Sequence, residues 1–268
     1  MTSASHPAAP APTLYYPDPR PSADVRLYCI PPSTAGAGYY APWAEHLPET
    51  VELGCVQLPG RGRRSSEPSF TDSRHLATSL AHVLDQENDS RPYALFGHSL
   101  GALAAFETSR RLRRARSAPP VLLALSALPA PHTARFRAII PHCLITGDLV
   151  LTDLIGPLPQ ELCDHPESAA AFGVPLLADL TLLLQHRHHE EPPVESAVAL
   201  YGGCHDPVAT PDDLATWNDL FTNAADPTLF PGNHTYPIDQ PKPLTERLVR
   251  DIQAAYGKPL VPAKPSCP

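Results

Sequence analysis

The stretch Gly97-His98-Ser99-Leu100-Gly101 constrains the fold of this chain more than any other part of it. An apolar run that predicts a buried strand precedes it, and a helical pattern follows it directly. This strand–turn–helix setting converts the loose pattern Gly-x-Ser-x-Gly into a nucleophile elbow. Glycines are needed there because strand and helix approach closely, and the turn presents the serine hydroxyl at the positive end of a helix dipole. We therefore predict that Ser99 is a nucleophile.

Composition limits the classes of protein to which the chain can belong. Its 268 residues with 43% hydrophobic side chains suit one large α/β domain or two small ones. A net charge of −8 argues against a nucleic-acid partner, which needs a basic face. The run of arginines between residues 110 and 116 is interpreted as a solvated helix end.

Features of targeting and redox chemistry predict a cytoplasmic protein. The first residues lack the basic and apolar regions of a signal peptide, and no apolar stretch reaches membrane-spanning length. We expect no membrane partner. The six cysteines show neither a CxxC pair nor a zinc-binding spacing, so we expect reduced thiols, Cys29 and Cys55 being buried as small hydrophobic residues.

Apolar runs alternate with helical patterns along the chain. Nearly continuous apolar strands in such an alternation indicate a mostly parallel sheet that is flanked by helices on both faces, an α/β fold. In such sheets the reactive site lies beyond the carboxyl ends of the strands. The predicted strands are Val25–Ile30, Val51–Gln57, Tyr93–Gly97, Val121–Ala127, Ala197–Tyr201 and Thr228–Phe230, and the predicted helices include Ser73–Gln86, Leu100–Arg116, Asp212–Phe221 and Leu244–Tyr256.

The predicted organisation has a core in two parts, interrupted by a helical insertion and bounded by tails. Prolines are dense near both ends of the chain, which predicts disordered or extended tails. The insertion has helical patterns and no convincing strand, and it is too long for one crossover helix. We therefore interpret it as a lid over the strand ends, the alternative being helices that pack on a sheet face. The predicted segments are a tail at 1–21, core at 22–132, the lid at 133–192, core at 193–257 and a tail at 258–268, with lid helices at Leu144–Ile155, Pro159–Asp164 and Glu167–Gln185.

A serine nucleophile needs a base, and the base needs an acid that fixes its tautomer. With an elbow of this type the chain order is serine, then aspartate or glutamate, then histidine. The base should lie between the last strand and the last helix, where His234 is the candidate. Asp206 follows the predicted strand Ala197–Tyr201 and is the candidate acid, because the loop after the preceding strand holds no carboxylate.

The other histidines are assigned less direct roles. His98 should point away from the serine and pack, and His205 lies on a loop earlier in the sheet. His186, His188 and His189 cluster at the end of the insertion and suggest a metal. No nearby carboxylate or cysteine in the sequence completes such a site, so a solvated helix end is favoured, and no metal site is predicted.

An oxyanion hole in this arrangement uses two backbone N–H groups. One belongs to Leu100, which follows the nucleophile. The other comes from the loop after the first predicted strand, where Pro31 and Pro32 cannot donate and Ser33 offers the first amide.

Four ordered motifs resemble those of the type II thioesterases, stand-alone α/β-hydrolases of polyketide and non-ribosomal peptide biosynthesis. The resemblance runs from about residue 25 to residue 255 and continues through Ala130-Pro131-His132, Gly202-Gly203 with Asp206, and Trp217. The motifs are Arg26-Leu27-Tyr28-Cys29-Ile30-Pro31, Tyr39-Tyr40-Ala41-Pro42-Trp43, Val56-Gln57-Leu58-Pro59-Gly60-Arg61-Gly62, and the stretch from Arg91 to Ala102.

The resemblance implies hydrolysis of acyl groups from the phosphopantetheine thioester of acyl or peptidyl carrier proteins, a release or editing step of antibiotic biosynthesis. It implies Ser99, Asp206 and His234 as the catalytic triad, the amides of Ser33 and Leu100 as the oxyanion hole, and no cofactor. Lid residues Leu176, Leu177 and Leu180 are predicted to face the substrate. Arg61, Arg63 and Arg64 are candidates for carrier contact, a solvated loop being the alternative.

Three departures from the family pattern keep other outcomes open. The loop after the first strand reads Pro31-Pro32-Ser33-Thr34-Ala35 where the family has Pro-His-Ala-Gly-Gly, Thr235 replaces a phenylalanine, and Leu177-Ala178-Asp179 lacks the family's arginine. The alternatives are acyl transfer to an internal nucleophile, an inactive carrier-binding protein, and a lipase or esterase.

Overall fold

Seven strands form one sheet in the order β1-β3-β2-β4-β5-β6-β7 in the computed structural model, which describes residues 10–146 and 166–260. All neighbours pair in parallel except β1, which is antiparallel to β3. The strands are β1 (Thr13–Tyr15), β2 (Val25–Ile30), β3 (Val51–Gln57), β4 (Tyr93–His98), β5 (Leu122–Ser126), β6 (Ala197–Gly203) and β7 (Thr228–Phe230).

Helices connect the parallel strands, and short 3-10 turns occur at Ala37–Tyr39, Ala41–His46, Gly62–Arg64 and Thr216–Leu220. The first long helix begins where Asp72 caps it by accepting a hydrogen bond from the His75 amide at 2.8 Å. The described helices are α1 (Ser73–Gln86), α2 (Leu100–Ala115), α3 (Ala134–Thr146), α4 (Pro166–Gln185), α5 (Pro211–Ala215), α6 (Tyr236–Asp239) and α7 (Pro241–Tyr256).

The core lies on both faces of the sheet, as the continuous apolar strands predict. On β2, Tyr28 and Ile30 pack into the cluster that α1 and α2 cover. The alternate residues Leu27 and Cys29 pack into the opposite cluster, with Trp43 and the apolar side of α7. Cys29 and Cys55 are register partners on neighbouring strands, and both thiols are buried and free.

Most predicted elements lie where the sequence places them. The strands Val25–Ile30, Val51–Gln57 and Thr228–Phe230 and the helix Ser73–Gln86 have the predicted bounds. The predicted helix Asp212–Phe221 is instead two pieces, α5 followed by a 3-10 turn. Thr210 begins α5 with a capping box that it forms with Asp213.

Residues 10–21 and 258–260 of the two predicted tails lie in the described ranges, and they include residues that contact the core. Within the first, β1 pairs along β3, and the Arg20 guanidinium donates to carbonyl groups of the loop before β3, including that of Pro48 at 2.7 Å. Prolines nearby are tolerated because β1 is an edge strand. Within the second, Leu260 is buried and its carbonyl accepts a hydrogen bond from Thr50. Residues 1–9 and 261–268 lie outside the described ranges.

The predicted insertion lies between β5 and β6 and contributes α3 and α4. Its predicted pieces at 144–155 and 159–164 fall largely or wholly in 147–165, outside the described residues. The described parts of 133–192 contain no strand, as predicted. The assignment of this insertion as a lid, and the segment boundaries, stay predictions.

None of the helices in the described ranges is long and apolar enough to cross a membrane. The cytoplasmic location stays a prediction.

Candidate active site

Ser99 occupies the tight turn between β4 and α2. Its backbone has φ 55° and ψ −122°, a region that residues with a Cβ rarely adopt. The Ser99 amide donates to the Ser126 carbonyl at the end of β5, at 2.8 Å. The sheet therefore holds the serine in a strained conformation at the carboxyl ends of the central strands.

Two glycines allow this turn because backbone atoms occupy the space of their missing side chains. A Cβ on Gly97 would lie 2.0 Å from the Gly101 carbonyl oxygen, and one on Gly101 would lie 2.2 Å from the Ile30 carbonyl oxygen. The start of α2 thus lies directly against the end of β2, which brings the loop after β2 to the elbow.

We expect Gly101→Ala to destabilise the protein, because the Ile30 carbonyl belongs to a buried strand and cannot retreat. Overpacking of this kind costs about 1–3 kcal/mol or more, which should lower the Tm by several degrees in a thermal melt. Gly38→Ala is the matched control, since a Cβ there has nothing within 4 Å. Equal melting temperatures for the two variants would contradict this account of the elbow.

His234 and Asp206 form a buried pair beside the elbow. His234 lies in the loop between β7 and α6, and its Nδ1 is 2.9 Å from Asp206 Oδ2 and 3.1 Å from Oδ1. An ionised carboxylate only accepts, so Nδ1 carries the proton and Nε2 carries the lone pair. Among the described residues Nε2 is buried with no hydrogen-bond partner. The imidazole is therefore set to accept a proton at Nε2.

Backbone contacts join the loop that carries Asp206 to the loop that carries His234. A Cβ on Gly203 would lie 2.4 Å from the Asn233 carbonyl oxygen, so the two loops touch through backbone atoms. The His205 amide donates to the Gly232 carbonyl at 2.9 Å. Asp206 Oδ1 also accepts from the Val208 amide at 2.8 Å, which fixes the orientation of the carboxylate.

His98 connects the elbow to the base, a role that the sequence analysis missed. Its Nε2 lies 2.9 Å from the His234 carbonyl oxygen, which can only accept, so Nε2 donates. Its Nδ1 then accepts from Ser126 Oγ at 2.7 Å, and Ser126 in turn accepts from the Tyr236 hydroxyl. Burial and the neighbouring His234 hold the pKa of His98 well below its usual range, which keeps this ring neutral. The prediction that His98 packs away from the serine did not include this hydrogen bond to the loop that carries His234.

The two amides predicted to form the oxyanion hole belong to different elements, the start of α2 and the loop after β2. Leu100 begins α2, where first-turn amides have no partner within the helix. Ser33 is buried in the loop after β2, and within the described ranges its amide donates to no carbonyl or side chain. Among the described residues neither amide donates a hydrogen bond, and their assignment to an oxyanion hole stays a prediction.

A buried ion pair braces the loop that carries Ser33. Asp179 of α4 accepts from the Thr34 amide at 2.7 Å, and Arg61 contacts the same carboxylate with two nitrogens at 2.7 and 3.0 Å. Thr34 stands where the resembling family has glycine, and its φ of 65° is in the left-handed region. The Asp179 carboxylate thus holds a residue with a Cβ in a conformation that favours glycine.

Arg61 is therefore not a surface residue available for a carrier protein. Its side chain is 3% exposed and that of Asp179 is 2% exposed. Arg64 pairs with Glu67, and Arg63 is exposed. Of the three arginines considered for carrier contact, Arg63 alone extends freely into solvent.

The three leucines of α4 that were predicted to face the substrate do not share one surface. Leu176 is buried, Leu180 is half-buried against the core, and Leu177 is 66% exposed. Their assignment to substrate binding stays a prediction.

Known proteins resemble this chain in sequence and in fold. A family model described as a thioesterase domain matches residues 25–256, from the start of β2 to the end of α7. The chain belongs to the thioesterase family. The predicted α/β-hydrolase fold and the resemblance to type II thioesterases are confirmed by this match and by the relatives below.

Two curated relatives match most of this thioesterase. Thioesterase PikA5 of Streptomyces venezuelae is 29% identical over 224 residues, which are 83% of this chain and 79% of that protein. A Brevibacillus parabrevis protein named linear gramicidin dehydrogenase LgrE is 30% identical over 231 residues, 85% of this chain and 88% of its own.

Solved structures of similar proteins include two thioesterases. YbtT, a type II thioesterase from the yersiniabactin NRPS/PKS pathway, has a TM-score of 0.76 and 26% identity, covering 91% of this chain and 99% of its own. RedJ, a thioesterase of the prodiginine pathway in Streptomyces coelicolor, has a TM-score of 0.70 and 29% identity, covering 86% of both chains.

Proposed function

We propose that this thioesterase hydrolyses acyl groups from the phosphopantetheine arm of acyl or peptidyl carrier proteins, with Ser99 as the nucleophile. The observation that carries the serine mechanism is the buried His234–Asp206 pair, in the loop that His98 joins to the elbow. Within the part of the chain that the structure describes, His234 Nε2 has no hydrogen-bond partner. The substrate class is supported by relatives whose names refer to biosynthesis of polyketides and non-ribosomal peptides.

In the first step, His234 Nε2 takes the proton of Ser99 as Oγ attacks the thioester carbonyl carbon. The amides of Ser33 and Leu100 donate to the resulting oxyanion. Asp206 keeps His234 in the required tautomer and stabilises the imidazolium. The C–S bond then breaks, the proton moves from Nε2 to the leaving thiol, and the acyl group stays on Ser99 as an ester.

In the second step, a water molecule attacks this ester. His234 takes a proton from the water, the same two amides hold the second oxyanion, and the proton returns to Ser99 Oγ as the carboxylic acid leaves. Every proton transfer in this scheme uses a protein side chain, and a thiol is a good leaving group. The proposed mechanism therefore requires no cofactor.

The test is turnover of a panel of acyl-pantetheine and acyl-carrier thioesters in isotopically labelled water. We expect release of free thiol and an acid that contains one labelled oxygen, with carrier-bound substrates turning over faster. A cyclic or aminolysis product without label would instead support acyl transfer to an internal nucleophile.

Product identity also separates the remaining alternatives. Carrier binding with no turnover would support an inactive binding protein, and a preference for oxygen esters would support a lipase or esterase. Each of these results would overturn the proposed reaction.

The brace on the oxyanion loop gives a prediction that rests on this mechanism. Removing Asp179 alone would leave the Arg61 guanidinium buried without its counterion, which costs about 3–5 kcal/mol and would obscure catalysis. We therefore compare two double variants that both remove the buried charges. Arg61→Met with Asp179→Asn keeps an acceptor for the Thr34 amide, and Arg61→Met with Asp179→Leu removes it.

We expect kcat to be lower by about tenfold in the leucine pair than in the asparagine pair, with little change in KM. The reason is that a displaced oxyanion donor weakens binding of the transition state more than binding of the substrate. Steady-state kinetics on one thioester measure both constants, and thermal melts establish that both variants fold. Equal kcat values would assign Asp179 a purely structural role.

A further inference from the structure

We propose that Glu107, His186 and His188 form a zinc site that ties the elbow helix α2 to the segment after α4. One potential ligand atom from each residue lies within 4.8 Å of the others. The sequence analysis found no carboxylate near these histidines because Glu107 comes from α2, on the other side of the insertion. Two imidazoles and one carboxylate are a common set of zinc ligands.

The separation of His186 from Glu107 is close to the one that zinc requires. Zinc binds nitrogen and oxygen at about 2.0–2.2 Å, so ligand atoms in a tetrahedral site lie about 3.3–3.5 Å apart. His186 Nε2 lies 3.8 Å from Glu107 Oε1. Small rotations of the side chains would close this gap. Three protein ligands leave the fourth position to water.

Two buried nitrogen atoms in this cluster have no other partner. Among the described residues, Nε2 of His186 and Nδ1 of His188 are both buried without a hydrogen bond. His186 is 5% exposed, so water does not readily serve it. A buried unpaired polar atom costs about 1–3 kcal/mol, and a bound zinc ion would remove this cost for His186 Nε2.

A neighbouring side chain orients the first imidazole as a metal site needs. Nδ1 of His186 lies 2.9 Å from Ser73 Oγ at the start of α1. When Nδ1–H donates to this hydroxyl, Nε2 presents its lone pair toward Glu107. Histidine ligands commonly donate their second ring N–H in this way.

An ion pair with Arg110 orients the carboxyl group of Glu107. The Arg110 guanidinium lies 3.0 Å from Glu107 Oε1. The carboxylate can therefore bind the metal while Arg110 holds its orientation.

Positive charge around the cluster limits the expected affinity. Arg74, Arg114 and Arg187 line the cavity of about 170 Å³ beside Glu107 and His186, together with Arg110 and His189. Glu191 offsets part of this charge, because it pairs with Arg110, Arg113 and Arg114. We expect micromolar rather than the much tighter affinity of structural zinc sites.

The site is separate from the catalytic centre. Glu107 lies eight residues after Ser99 on α2, which is about 12 Å along the helix at 1.5 Å per residue. A zinc ion there would not contact the reacting atoms, and it would stabilise the packing of the segment after α4 on α2. The proposal therefore does not depend on the proposed function.

The test uses the full chain, freed of metal with a chelator and then titrated with Zn²⁺ against a chromophoric competitor. The variant that removes a ligand is His188→Gln. We choose His188 because its side chain is half-buried and tolerates replacement better than the buried His186. The matched control is His189→Gln, an exposed histidine next to it. Co²⁺ serves as a second probe, because tetrahedral coordination gives strong visible absorption.

We expect one Zn²⁺ per chain in the wild type and in His189→Gln, with affinity about tenfold or more lower in His188→Gln. Zinc should also raise the Tm of the wild type and leave the Tm of His188→Gln unchanged. A thermal melt of His188→Gln without metal establishes that this variant folds. Substoichiometric binding, equal affinity in wild type and His188→Gln, or an equal loss in both variants would overturn the proposal.

Discussion

Ser99→Ala is expected to lower thioester turnover by about 10⁴- to 10⁶-fold and to abolish acylation of the protein. The variant keeps the His234–Asp206 pair and the amides of Ser33 and Leu100, so a residual rate above that in water should persist. Alanine removes only the hydroxyl and can occupy the same backbone conformation, in which the Ser99 amide donates to Ser126. The measurements are thiol release and intact mass after labelling with a serine-directed fluorophosphonate.

The matched control for this experiment is Ser66→Ala, on an exposed loop. It should label and turn over like the wild type. Continued labelling of Ser99→Ala on a residue of the same elbow or elsewhere, with turnover unchanged, would remove Ser99 from the mechanism. Loss of labelling with turnover retained would show that the probe and the substrate use different groups.

Asp206→Asn is expected to lower kcat by about 10⁴-fold while leaving the fold intact. The amide oxygen of the asparagine can still accept from the Val208 amide, which now bonds to Asp206 Oδ1 at 2.8 Å. The amide nitrogen then faces His234 Nδ1 and donates to it. His234 is thereby driven to the tautomer that carries its proton on Nε2, where it cannot take a proton from Ser99.

Steady-state kinetics should place this effect in kcat rather than in KM, because the Asp206 side chain is fully buried behind His234 and acts through it. Asp226→Asn, an exposed replacement of the same kind, is the control and should behave like the wild type. If Asp206→Asn retained kcat within a few-fold of the wild-type value, another group would have to orient the base.

The sequence predicts the buried sheet well because its signal is local. Strands β2 and β3 are mostly apolar, with Arg26 as the one charged residue of β2 and Glu52 as that of β3, and their bounds match the prediction. The edge strand β1 was missed because it is three residues long, lies among prolines, and is stabilised by pairing with β3 and by Arg20, which bonds to a distant loop.

The candidate site likewise has residues that the sequence predicts and residues that it does not. Chain order and strand ends predict Ser99, Asp206 and His234, and the structure brings the last two into direct contact beside the elbow. The brace of Arg61, Thr34 and Asp179 could not be predicted, since its partners are 118 and 145 residues apart in the chain. In the sequence, Arg61 follows Pro59-Gly60 and therefore resembles a surface residue of a turn. Only the structure shows that α4 packs over it.

The position of Asp179 has a consequence for the order of events during turnover. The same helix, α4, belongs to the insertion that the sequence predicts as a lid, and it supplies the carboxylate that accepts from the Thr34 amide next to Ser33. If the predicted lid opens by an outward movement of this helix, the acceptor leaves Thr34, so admission of substrate and stabilisation of the oxyanion would be separate events. In that case chemistry would begin only after the helix returns, and acyl groups that prevent its return would be bound without being released.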